Sequence, residues 1–136
     1  MSLKQLVRLV RDWVHDDRRK GSKVLPSLAD EKVATGAAGA WAYGVYTEVV
    51  ADSGAVLVEV DGIEVISIAG DHQVELAVGA AGSEVGAGVI SAIAVGYHPV
   101  KSGLFPKNSR IAVRTASKAG GGQTVGIKVH YREVSY

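Results

Sequence analysis

The chain of 136 residues has no cysteine, which excludes disulfides and thiolate metal sites and leaves the fold to packing or to partners. It has three prolines, and Pro26, Pro99 and Pro106 all fall in stretches that read as connector or loop. No apolar run approaches the roughly twenty residues of a helical membrane span, so no membrane partner is expected. Lys4, Arg8, Arg11 and Asp12 cut through the place where a secretory leader would carry its apolar region, so a cytoplasmic setting is expected. Lys and Arg are missing altogether from Val33 to Val100, a span that carries eight carboxylates. The basic residues sit at the two ends, giving +3 up to Lys32 and +6 from Lys101, for a net charge of +1. Two arrangements account for this. Either the charges interleave within one subunit once strands pair, or an acidic face and a basic face meet between neighbouring subunits, with Arg110, Arg114, Lys128 and Arg132 as the basic contacts. The basic residues are not clustered with aromatics, so no nucleic-acid partner is expected.

What is present reads mainly as β structure. The stretch Trp41–Val50, W-A-Y-G-V-Y-T-E-V-V, alternates like a strand and is built from residue types suited to a pleated, half-buried surface. Its alternation places Trp41, Tyr43, Val45 and Val49 on the core side and leaves Tyr46 and Glu48 as contact candidates. Further strands are expected over 55–61 and 63–68, with a bulge or turn at Gly62, and over 73–78, 110–115 and 124–134. Val89–Val95 is nearly continuously apolar, as in a strand buried on both faces. Gly79–Gly88 reads as a loop, Tyr97–Ser109 as loop with one short strand, and Ala119–Gly122 as a hairpin tip.

The amino-terminal part differs. Ser2 and Gln5 form a capping box, and Leu3, Leu6, Val7, Val10, Trp13 and Val14 follow as one apolar helical stripe that ends near Arg19 or Lys20, with Gly21 as the C′ residue. This stripe covers the chain's own core or docks on a neighbour as an arm. The expected organisation is a helix over 1–21, a linker over 22–39 with a helical turn near Pro26–Glu31, and an antiparallel β-sandwich or jelly roll of about seven or eight strands over 40–136.

No residue pattern carries catalysis, a cofactor or a metal. His15, His72, His98 and His130 lack local ligand spacing, and Asp71-His72 reads as a solvated turn. The glycine-rich G-A-A-G-S-E-V-G-A-G lacks the lysine of a phosphate-binding loop. Trp41, Tyr43 and Tyr46 could alternatively form a glycan-stacking platform.

Together, W-A-Y-G-V-Y-T-E-V-V, G-A-A-G-S-E-V after an alternating strand, a Pro/Gly loop running into S-R-I-A-V-R-T, and the closing T-V-G-I-K-V resemble small virion proteins of tailed bacteriophages, over roughly 40–129. One departure is Asn108-Ser109, where the family has a small residue and glycine before R-I-A. The resemblance implies a β-sandwich or jelly-roll subunit without enzymatic activity, assembled in the host cytoplasm. As a capsid decoration (cement) protein it would bind the major capsid protein as a homo-oligomer, a trimer by likeness to subunits at three-fold positions. A neck, tail or fibre-base subunit, or a host-glycan-binding module, are the alternatives.

Overall fold

The computed structural model describes residues 2–6 and 27–134. Residues 3–6 form one helical turn, and its capping box is made as expected. The Ser2 amide donates to Gln5 Oε1 (3.0 Å) and the Gln5 amide to Ser2 Oγ (3.2 Å). Leu3 and Leu6 are exposed. Val7, Val10, Trp13 and Val14 lie outside the described residues.

The described residues from 27 on form ten strands: β1 (Ser27–Leu28), β2 (Lys32–Thr35), β3 (Thr47–Val50), β4 (Leu57–Ile68), β5 (His72–Val78), β6 (Val85–Ala92), β7 (Gly96–Pro99), β8 (Leu104–Phe105), β9 (Ile111–Ser117) and β10 (Thr124–Val134). They form two antiparallel sheets, which is the expected β-sandwich. In sheet A, β10 and β4 pair along their length. β1 and β2 share the free side of β10, and β7 and β8 share the free side of β4. Sheet B runs β3-β9-β5-β6. The inward alternation read from the sequence holds in the central strands. Val74 and Leu76 of β5 and Val125, Ile127 and Val129 of β10 meet Val58, Val60, Ile63 and Val65 of β4 in one core. Gly62 does not end a strand. β4 runs through it, and Asp61 is the extra residue of a bulge, since Gly62 pairs with His130 and Val60 with Tyr131.

Four expectations are corrected. The stretch 27–35 is not linker: β1 and β2 belong to sheet A, and no helical turn forms there. Regular pairing in the Trp41 stretch begins only at Thr47. Trp41 takes a left-handed φ of 55°, rare for a bulky residue, and its amide donates to the Ser117 carbonyl. Trp41 is 48% exposed and Val45 82%, so of the four expected anchors only Val49 is buried. Third, β6 starts inside the expected loop and is an edge strand. Val89, Ile93 and Val95 are exposed rather than buried on both faces. Fourth, Gly120, Gly121 and Gly122 form the expected tight turn, all with φ near 70°, but it links the two sheets and is not a hairpin within one. Asn108 takes a left-handed φ of 57°, a conformation that asparagine tolerates.

His72 is also not a solvated turn residue. It opens β5 on the inner side at 1% exposure, with Nδ1 2.9 Å from Thr115 Oγ1 and Nε2 3.0 Å from the Ala69 carbonyl. Its cross-strand neighbour Ser117 is equally buried, and its hydroxyl has no partner among the described residues. A buried unpaired hydroxyl costs desolvation without a return. Ser117→Ala is therefore expected to leave thermal stability unchanged or to raise it by up to ~1 kcal/mol, measurable by denaturant unfolding.

Candidate functional site

The two outer sheet faces carry the contact candidates expected of the β body, and they divide them. Arg110, Arg114, Tyr46 and Glu48 fall on sheet B, Lys128 and Arg132 on sheet A.

On sheet B, Arg114 projects outward from β9 and lies between two aromatic rings, 4.4 Å from the Tyr43 centroid and 4.7 Å from that of Tyr46. Glu75, directly opposite on β5, accepts from its guanidinium (Nε to Oε1 3.1 Å, Nη2 to Oε2 3.3 Å). The Tyr46 hydroxyl donates to the same carboxylate at 2.5 Å, and the Tyr43 hydroxyl reaches Gln73 at 3.4 Å. The two tyrosines are three residues apart yet share one guanidinium, which no regular strand allows. The irregular path through Gly44 makes it so: the Gly44 amide donates to the Thr115 carbonyl on one side while the Thr35 carbonyl presses on the other. Beneath them Ala77, Ala112 and Ala116 are fully covered. Arg110 is held by Glu48 (2.9 Å), Glu84 (3.0 Å) and the Gly79 carbonyl (3.2 Å). It also borders an open groove of about 590 Å³ between residues 78–81 and 106–109.

Burial, and then the neighbouring Glu75 carboxylate, push the Tyr46 pKa up to about 12. Burial alone would raise the Glu75 pKa, but hydrogen bonds from Tyr46 and Arg114 and the Arg114 charge outweigh it and hold it below the ordinary carboxylate value. The stabilisation from Glu75 is thus fully present above its unfolded-chain value of 4.5 and is lost as pH falls through the lower folded value. That from Tyr46 is present below pH 10 and is lost as pH rises through about 12. Tyr46→Phe is expected to remove the last tyrosinate step in an ultraviolet titration. It should also move the acid unfolding midpoint to higher pH, since Glu75 loses a donor.

On sheet A the outer side is built around Gly62. The Tyr97 ring lies where a Gly62 side chain would be and meets His130 edge-on at 5.1 Å. His130 Nε2 is 3.3 Å from Glu64, and Arg132 grips Asp61 (Nη2 to Oδ1 2.7 Å, Nε to Oδ2 3.2 Å). Asp61 raises the Arg132 pKa, chiefly through these hydrogen bonds. The register places Leu28 beside His130 and Leu104 beside Glu59, next to Arg132, and both leucines and Tyr97 are exposed. Lys128 makes no ion pair among the described residues.

The acidic middle and the basic tail therefore meet inside one chain. Glu48, Asp61, Glu75 and Glu84 hold Arg110, Arg114 and Arg132, so these charges interleave within one subunit. Sequence reading missed the Tyr43–Arg114–Glu75 and Tyr97–Gly62–His130 groupings. Nothing local signals them, because each joins strands remote in sequence. Comparison with protein-family models, with curated proteins and with solved structures returned no match.

Proposed function

We propose that this chain is a non-enzymatic structural subunit that binds other proteins of an assembled particle, with the outer face of sheet A as its contact surface. The observation that carries the reading is the band formed by Leu28, the Tyr97–His130 pair and Leu104. Its leucines and Tyr97 are exposed and apolar, and they stand beside the paired ions Arg132 and Asp61, with Lys128 at their side. Such a surface suits protein contact: its apolar parts gain from burial, and its paired ions cost less to cover than free ones. The sequence resemblance supplies the particle, a tailed-phage virion. The role is then capsid decoration on the major capsid protein, after assembly in the host cytoplasm. Electron microscopy of the parent particle with this subunit labelled tests the reading. Label on the head supports decoration, label at the neck or tail replaces it with that location, and an unlabelled particle overturns the virion role. Leu28→Asp with Leu104→Asp, both at exposed positions, should abolish binding to undecorated heads and leave the circular dichroism spectrum unchanged.

One observation favours a second reading, a host-glycan-binding module. Trp41 is exposed, two residues before Tyr43, whose ring is already committed to Arg114. Binding on a glycan array that disappears in Trp41→Ala would support this reading; an array without signal ends it.

A further inference from the structure

Sheet edges present unpaired backbone donors and acceptors, and proteins blunt them with short or bulged strands, charges and prolines. Three of the four edges of this sandwich are blunted in that way. One edge of sheet A is divided between β1 and β2, with Asp30 and Glu31 in the gap. The other is divided between β7, which ends at Pro99, and β8, which is followed by Pro106. The β3 edge of sheet B is four residues long, bulged, and carries Glu48. The β6 edge is different. It is an eight-residue strand with no residue of the described chain paired beyond it. Its single extra residue, Ala87, lies in the first half, so that Gly88–Ala92 run in regular register with β5. From Val85 to Val95 there is neither a charged residue nor a proline. The carboxylate nearest in sequence, Glu84, is turned onto Arg110 with its side chain 9% exposed, and Glu75, opposite Val89 on β5, is held by Arg114 and Tyr46. Along this edge Val85, Val89, Ile93 and Val95 are exposed, Val89 at 55% and Ile93 at 73%. An apolar run with the composition of a strand covered on both faces is thus left open.

We infer that the free side of β6 pairs with β6 of a second copy, antiparallel about a two-fold axis, so that the two B sheets become one continuous sheet. The open ladder specifies a β-strand as the occupant. A two-fold contact sets each side chain beside the same short run of residues, which doubles any charge present there; this run has none. The net charge of +1 adds no long-range repulsion between copies. The other edges, short and broken by charges or prolines, are poor partners for it. A stable interface takes roughly 800 Å² from each partner. A single edge supplies less than a broad face, so the dimer is expected to depend on concentration rather than to be permanent. The inference does not depend on the particle reading, because such a dimer forms in purified protein whatever the chain does in a virion.

Sedimentation of the full chain from low micromolar to several hundred micromolar tests it. Wild type is expected to pass from 14.1 kDa to twice that mass. Val89→Lys places like charges across the axis and weakens the dimer by about 100-fold or more. Val89 is exposed and stands opposite Glu75, so the fold, checked by circular dichroism, should persist. Ser91→Lys, exposed and opposite Gln73, serves if the first variant unfolds. A wild type that stays at one-chain mass throughout overturns the inference. So does a dimer that both folded variants retain, or a closed three-chain species, which two-fold pairing cannot produce.

Discussion

Replacing Leu76 with alanine should lower the free energy of unfolding by about 2–5 kcal/mol. Leu76 is among the largest side chains with no exposure, on the strand of sheet B that is flanked by both β6 and β9. Its loss removes apolar burial and opens a cavity that two hydrogen-bonded ladders keep from collapsing. A domain of this size has only about 5–15 kcal/mol in total, so the variant loses a substantial share of it. Urea unfolding followed by circular dichroism measures the change; a midpoint within error of wild type would contradict the placement of the core.

Gly44→Ala is the second large effect, and it acts through the backbone. A Cβ there would overlap the Thr35 carbonyl oxygen and crowd the backbone of Gly36, and neither can rotate out of the way. Overpacking of this kind costs about 1–3 kcal/mol or more. Relief requires 43–46 to move off β2, which would withdraw Tyr43 and Tyr46 from Arg114 and lose two ring contacts and a hydrogen bond to Glu75. The expected signature is a lower melting temperature together with a lower tyrosinate pKa for Tyr46. Gly62→Ala is the control. Its neighbour is the ring of Tyr97, a side chain that can swing outward, so the loss should be the smaller of the two. A greater loss at Gly62 than at Gly44 would contradict both assignments.

The positions of these residues show where sequence reasoning reached and where it stopped. Alternation located β5 and β10 and their buried sides correctly, because a pleated strand sends every second side chain to the same face and apolar residues mark the covered one. The capping box was legible because all its atoms lie within four residues. The same alternation misled at Trp41–Tyr46, where the backbone leaves the strand path at a left-handed residue and Gly44 is wedged between two carbonyls. It misled again at Val89–Val95. Apolar residues on both sides of a strand show that both sides can be covered, not that this chain covers them.

The candidate surfaces were legible in their parts and not in their arrangement. Arg114 and Glu75 are 39 residues apart, and Arg132 and Asp61 are 71 apart. Their pairing follows from strand order and register, which a single chain's composition does not contain. The sequence by itself determined that the body would be an antiparallel all-β sandwich without disulfides, that glycine clusters would make its turns, and which faces of its central strands would be apolar. These follow from local backbone preference and side-chain period. Only the tertiary structure decided that the charges would neutralise within one subunit, that Trp41 would stand outside the core, and that β6 would lie at an open edge. Those outcomes depend on which strands become neighbours, and that is set by the packing of the whole core at once.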